Sequence, residues 1–397
     1  MKLWKHQLKI LKANPKKHVL VWSCGTGKSL AAIELAKKNK QTALVICPKS
    51  IKKQWQEDSI GDDWVVVTKE EFRRDVKKLP RFNCLIVDEI HNFLSPNLKS
   101  QMYKSLLWYI QIHKPEFIYG LSATVYMSSI WNIFALAKIL GYNPNYGTWR
   151  KLYFYPMRMG RRLIYQQKDN LQDVVSKMVK KLGSTVRMDE CFDVPEQTFQ
   201  TEYFELTAEQ KKAIKNITDL EHIVKWSKSH QVCGGTLKSD GYTEDQEFAS
   251  EKMNRAVELA NQHKKLIIVC KYNHEIKILS ERLKSLPNLI VINGATKDRH
   301  SAVKMAEASS QCVVLVNGSV SEGYQLPTFP IMIFYSYNFS LKDYIQITGR
   351  ILRADHLKKN VYISLVVKDK DCNIDYDVYD NIVNKKIDFQ IKIYEKA

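Results

Sequence analysis

The sequence predicts an α/β protein of two tandem domains, each a parallel sheet flanked by helices, and three observations carry that prediction. The chain has 397 residues, too many for one compact core and suited to two. Short apolar runs alternate with amphipathic stretches in the first third and again from residue 266 onward, the pattern of strand–helix–strand units in an open parallel sheet. Between these regions, from about residue 141 to 196, the alternation lapses into aromatic and basic clusters such as Tyr153-Phe154-Tyr155 and Arg158-Met159-Gly160-Arg161-Arg162. The expected division is therefore 1–150 for a first domain, 151–200 for an irregular connection and 201–397 for a second domain.

Residues 18–22, 42–47, 64–67, 84–87 and 117–121 read as buried parallel strands, because each is a continuous run of Val, Ile, Leu and aromatic side chains rather than a half-polar alternation. Residues 266–270, 289–292, 312–316, 331–335 and 361–365 repeat the pattern. Residues 233–247, rich in Gly, Ser and Asp, read as an exposed loop. No repeat or low-complexity segment interrupts either half.

Composition narrows the class. Hydrophobic residues make up 45% and charged residues 26%, as in ordinary soluble globular proteins. The net charge of +19 predicts attraction to a polyanion such as nucleic acid, although a lysine-rich solvated surface explains charge alone equally well. No apolar run approaches the roughly 20 residues of a membrane span, and the first residues lack the apolar core of a signal peptide. The eight cysteines include no Cys-x-x-Cys pair, and Cys47, Cys84 and Cys270 sit at the ends of apolar runs. That usage predicts a reducing, intracellular setting with no structural zinc and no disulfide framework.

Four segments carry chemistry. In Trp22-Ser23-Cys24-Gly25-Thr26-Gly27-Lys28-Ser29, a strand runs through a glycine loop into a helix. Gly25 and Gly27 let backbone amides turn toward a phosphate, Thr26 lies between them, and the helix start adds its positive end. Lys28 would reach the β- and γ-phosphates of ATP and Ser29 would ligate Mg2+. The general template has glycine where this chain has Trp22.

In Leu85-Ile86-Val87-Asp88-Glu89-Ile90-His91, two carboxylates stand at the carboxyl end of a strand, where α/β sheets place their ligands. Asp88 would hold the magnesium ion and Glu89 would act as general base on the attacking water. Ser122-Ala123-Thr124 follows the fifth strand and either bridges the carboxylates to a moving part or caps a helix. Gln346-Ile347-Thr348-Gly349-Arg350-Ile351-Leu352-Arg353 spaces two arginines on one helical face. They are either γ-phosphate ligands or surface cations.

Taken in order, these segments resemble the motifs of superfamily 2 helicases with a DEAH-like box, and most closely the Swi/Snf-type branch of DNA translocases. Leu3-Trp4-Lys5-His6-Gln7 resembles the Q-motif, which implies that Gln7 reads adenine. Asp88-Glu89-Ile90-His91 resembles a DEAH box with Ile90 in place of alanine, and this makes His91 a site residue. Pro48-Lys49-Ser50-Ile51-Lys52-Lys53-Gln54-Trp55 is similar to the branch's motif Ia, and Ser122-Ala123-Thr124 to motif III. The stretch 266–272 stands as motif IV, with Asn293-Gly294-Ala295-Thr296-Lys297 after it. Residues 318–326 stand as motif V and 346–353 as motif VI, in which Gln346, Arg350 and Arg353 are the expected catalytic residues.

The resemblance implies two RecA-like domains with ATP in the cleft between them, and movement on nucleic acid, DNA favoured over RNA. It assigns Lys49, Ser50, Lys52, Lys53 and Thr68 in the first domain, and Lys271, Thr296, Lys297, Ser319 and Ser321 in the second, to the phosphate backbone. Gly323 joins the nucleotide-binding set. Two departures bear on the coupling of hydrolysis to movement: Ser321-Glu322 replaces the branch's usual glycine pair, and Ala354-Asp355-His356 follows the last arginine. Short or missing insertions point to a minimal motor of viral or bacterial type. The competing readings are an RNA helicase, the motor of a restriction or packaging nuclease, and a module that uses ATP only as a clamp.

Overall fold

The computed structural model describes residues 3–58, 64–127, 129–160, 162–191, 195–217, 221–239, 245–320, 324–352 and 359–386. The chain divides into two compact units, Met1–Phe192 and Asp193–Ile387.

In the first unit all five expected strands form: β1 (Lys17–Trp22), β2 (Ala43–Cys47), β3 (Val65–Thr68), β4 (Cys84–Asp88) and β5 (Phe117–Ser122). Next come an antiparallel hairpin of β6 (Phe154–Met159) and β7 (Arg162–Gln167), and then β8 (Gly183–Val186). The sheet runs β3-β2-β4-β5-β1-β8 and every pairing in it is parallel. Strands β2, β4 and β5 are buried throughout, as a sheet covered on both faces requires. One face packs Val19, Leu44, Leu85 and Ile118 against Phe72, Phe93 and Tyr109. The other packs Leu20, Val45 and Ile86 against Ala31, Ala32 and Leu35 of the helix that follows β1.

The second unit repeats the plan. Its strands are β9 (Glu196–Phe204), β10 (Thr236–Leu237), β11 (Gln246–Glu247), β12 (Lys265–Cys270), β13 (Leu289–Ile292), β14 (Cys312–Asn317), β15 (Ile331–Phe334) and β16 (Lys359–Val367). The main sheet runs β13-β14-β12-β15-β16-β9, again wholly parallel. Two six-stranded parallel sheets flanked by helices make this a tandem RecA-like α/β architecture.

Two parts differ from the sequence reading. The stretch expected as an irregular connection is regular structure divided between the sheets. The helix Gln172–Leu182 buries Val175, Val179 and Leu182, β8 pairs with β1, and β9 pairs with β16 over nine positions. Neither strand had an apolar run to reveal it. β9 is an edge strand with exposed Phe199 and Tyr203, and β8 is Gly-Ser-Thr-Val. Gly183 is required there, because a Cβ would stand 2.0 Å from the Val19 carbonyl oxygen.

The second difference lies in residues 233–247, read as an exposed loop. Cys233, Gly234, Gly235 and Thr236 are buried, and β10 pairs with β11; residues 240–244 lie outside the described set. Residues 233–236 thus turn into the core, while Lys238, Asp245, Gln246 and Glu247 are exposed as expected.

A buried polar cluster staples the second unit. Asp375 accepts from His230 Nε2 at 3.0 Å, Lys252 Nζ at 2.7 Å and the Val367 amide at 2.7 Å. Burial alone would raise its carboxyl, but the Lys252 ammonium and the His230 bond hold it at about 2. Among the described residues no group of three or more His, Cys, Asp or Glu side chains could hold a metal ion. None of their helices is long and apolar enough to cross a membrane.

Candidate functional site

The loop after β1 has the backbone expected of a phosphate cradle. Gly25 and Gly27 take φ of 78° and 72°, left-handed values that a side chain would strain. Gly27 then caps the N-terminus of the helix Lys28–Lys38, so the first free amides of that helix face the loop. Lys28 Nζ donates to the carbonyls of Trp22 at 2.9 Å and Ser23 at 3.0 Å. The amine is thus folded over the loop mouth, where a phosphate would draw it away.

The N-terminal helix Lys5–Ala13 clamps this loop. Gln7 is buried; its Nε2 donates to the Gly27 carbonyl at 3.0 Å and its Oε1 accepts from the Trp4 amide at 2.8 Å. His6 Nε2 lies 2.9 Å from the Thr26 carbonyl, and its ring meets Trp22 edge-on. A Cβ on Gly27 would come within 2.3 Å of Gln7 Nε2, so this glycine is needed for space as well as for φ. Trp22, the departure from the template, is fully buried and donates from Nε1 to Ser184 Oγ of β8 at 3.0 Å. It belongs to the sheet rather than to the cradle.

The paired carboxylates stand at the carboxyl end of β4. Asp88 is buried; Oδ1 accepts from the Glu89 amide at 2.9 Å and Oδ2 from the Trp55 indole at 2.8 Å. Burial first, and the neighbouring Glu89 carboxylate second, push Asp88 up to about 7, while the Trp55 indole bond and then the Lys28 ammonium partly offset both. A divalent cation would relieve the same crowding of negative charge. Glu89 takes a left-handed φ of 50°, which turns it off the strand line. Ile90, where the resemblance has alanine, fits because it lies over Gly120, where a Cβ would come within 2.5 Å of Ile90 Cδ1.

His91 joins this end of the site to the strand beside it. Its Nδ1 lies 2.8 Å from Ser122 Oγ and 3.1 Å from Glu89 Oε2. The Ser122 hydroxyl donates to the Thr124 carbonyl at 2.6 Å and accepts from the Thr124 amide at 3.1 Å. With that hydroxyl proton committed, Nδ1 is the protonated ring nitrogen and donates to the serine. Of the two readings of Ser122-Ala123-Thr124, the bridge to the carboxylates is the one the geometry carries.

Trp55 is the functional candidate that sequence reasoning missed. It closes the Pro48–Trp55 segment, yet nothing in the sequence ties position 55 to position 88. Outer hydrogen-bond partners of metal ligands typically set metal affinity by ten- to a hundredfold. Trp55→Phe is therefore expected to raise the magnesium concentration for half-maximal ATP turnover by about tenfold, with the ring's packing kept. An unchanged magnesium titration would remove Trp55 from that role.

The expected backbone-contacting residues divide by environment. Lys49, Ser50 and Lys53 are exposed. Lys52 is paired with Glu71 at 2.7 Å, and Thr68 is a buried N-cap whose hydroxyl accepts from the Glu71 amide. These two hold a helix start together in this structure. In the second unit Lys297 and Ser319 are exposed. Thr296 closes a turn by donating to the Val291 carbonyl. The Lys271 ammonium sits 3.2 Å from the Phe339 ring centroid, and burial lowers it to about 8.

Gln346 is buried on the helix Leu341–Thr348. Arg350 donates to the Tyr324 carbonyl at 2.9 Å, and its guanidinium carbon lies 5.4 Å from the Tyr324 ring centroid. Ser321, Gly323 and Arg353 lie outside the described residues. Within the first unit Gln7 and Lys28 bond the glycine loop, while Asp88, Glu89 and His91 are joined to one another at the end of β4; the Lys28 ammonium acts on the Asp88 carboxyl, and Ser29 lies in the first turn of the helix.

Residues 251–355 match the helicase conserved C-terminal domain family. The matched stretch, about a quarter of the chain, runs from the helix Glu251–Gln262 through β12, β13, β14 and β15 to just beyond Arg353. No curated protein matches the chain. The second unit therefore carries a helicase conserved C-terminal domain, which supports a superfamily 1 or 2 helicase and, coarsely, an ATP-dependent helicase or translocase acting on nucleic acid.

Proposed function

We propose that this chain is an ATP-driven motor of the superfamily 2, Swi/Snf-type branch, which hydrolyses ATP to ADP and phosphate while moving along DNA. Duplex or branched DNA is the favoured track. The observation that carries the reading is that one sheet of the first unit holds both parts: a glycine cradle at the start of a helix with Lys28 over its mouth, and Asp88 and Glu89 at the carboxyl end of β4, where the Lys28 ammonium acts on Asp88. The helicase domain match in the second unit and the net charge of +19 support it independently.

Each residue has a task under this reading. The loop amides and Lys28 bind the phosphates, and Gln7, which already holds the loop through Gly27, faces the base. Ser29 and Asp88 hold magnesium, which supplies Lewis-acid polarisation of the phosphoryl oxygens. Glu89 takes the proton of the attacking water. His91, donating to Ser122, keeps Glu89 and the β5 end in one hydrogen-bonded frame. Gln346, Arg350 and Arg353 of the second unit serve the transferred phosphoryl group, because a guanidinium fork stays charged and donates in two directions. Lys49, Ser50, Lys53, Lys297 and Ser319 grip phosphates without reading sequence.

Steady-state ATP turnover without polymer, and with single-stranded DNA, duplex DNA and RNA at fixed salt, tests the proposal. Strong stimulation by duplex DNA is expected. Stimulation by RNA alone would make it an RNA helicase, and no stimulation by any polymer would remove the motor reading.

A further inference from the structure

We infer that the β6–β7 hairpin is a nucleic-acid element that wedges the end of a duplex where its strands part; the inference rests on the motor reading above. The hairpin projects from the first unit with nearly every residue exposed on both strands. Met159 is 72% exposed, Met157 44% and Ile164 40%. Registered pairs put Met157 opposite Ile164 and Met159 opposite Arg162, so one face carries an apolar tip with a cation beside it. A folded protein rarely leaves such a cluster in water without a partner for it.

Charge identifies the partner. From residue 117 to residue 168 the sequence contains no Asp or Glu, while Lys138, Arg150, Lys151, Arg158, Arg161, Arg162 and Lys168 are all basic. Among the described residues no ion pair engages Arg158 or Arg162. Basic side chains around Met, Leu and Ile suit phosphates flanking a base step, the apolar groups entering between bases. An apolar protein partner would give no reason to exclude every carboxylate from the mostly exposed part of that stretch, residues 141–168.

The base is built to bear load, which an isolated two-stranded hairpin could not. Phe154 is buried and stacks on Trp131 at 5.1 Å. The Arg150 guanidinium carbon lies 4.3 Å from the Tyr165 ring centroid. Gln167 Oε1 accepts from the Ile130 amide at 2.7 Å, and its Nε2 donates to the Tyr126 hydroxyl at 2.9 Å. Tyr126 in turn gives its carbonyl to the Thr124 hydroxyl, two residues from the Ser122 that bonds His91. The hairpin root and the carboxylate end of the site thus share one hydrogen-bonded segment.

The test is equilibrium binding, without ATP, of the full chain to a forked and to a blunt DNA duplex, each with 2-aminopurine at the terminal base pair. The parent is expected to prefer the fork by about fivefold or more, with brightening of the probe as the base unstacks. The triple variant Met157→Ser, Met159→Ser, Ile164→Ser should lose that preference and the brightening while still binding blunt duplex. Arg158→Ala with Arg162→Ala should weaken both duplexes and lower the salt slope by about 1 to 2.

Equal affinity of the parent for fork and blunt duplex, or full brightening with the serine variant, would overturn the wedge. So would a matching fall in melting temperature, which would show that the tip packs against the rest of the chain. Because the readout uses no ATP, a parent that lacks polymer-stimulated turnover sinks the motor reading separately.

Discussion

Glu89→Gln is expected to bind ATP as tightly as the parent and to hydrolyse it about a hundredfold more slowly, or slower still. The substitution keeps the size of the side chain and an oxygen for the His91 contact at 3.1 Å. It also leaves the left-handed φ of 50° at this position as tolerable for glutamine as for glutamate. What it removes is the capacity to take a proton, and general bases contribute roughly a hundred- to ten-thousandfold. Single-turnover hydrolysis alongside binding of a fluorescent ATP analogue separates the two effects. Equal turnover in variant and parent would take Glu89 out of the reaction.

Lys28→Ala should show the opposite signature. Under the proposed reading the ammonium is the full positive charge that the loop would turn toward the phosphates; in this structure it is satisfied by two carbonyls of the same loop. Its loss should weaken ATP binding and cut turnover by about a hundred- to a thousandfold, the usual effect of deleting a donor aimed at developing charge. The fold should survive, since the side chain is only partly buried. Undiminished ATP affinity in a normally melting variant would contradict the placement of Lys28. Read together, a binding defect at position 28 and a turnover defect at position 89 would separate cradle from base within one site.

Much of this arrangement was legible in the chain because its causes are local. Each strand of the two sheets that is covered on both faces is written as an unbroken apolar run, and all ten expected strands formed. Gly25 and Gly27 are required by φ at their own positions, and Asp88-Glu89 closes a strand whose preceding residues already point to the sheet's carboxyl edge. Elements without a burial signature escaped notice. β9 lies at a sheet edge, β8 is three small residues and one valine, and the β6–β7 hairpin is exposed on both faces, so none carries the periodicity that solvent exclusion imposes.

By itself the sequence determined two parallel α/β units, a glycine loop between strand and helix and a pair of strand-end carboxylates, since backbone geometry and apolar runs act over a few residues. Tertiary structure alone decided how those parts serve one another. Trp55 reaches Asp88 across 33 positions, Gln7 reaches Gly27 across 20, and Ile90 fills the space above Gly120. It also decided that the root of the hairpin meets Tyr126 rather than water. Such contacts follow from which helices pack on which sheet face, and close packing fixes them jointly, so no local pattern in the chain announces them.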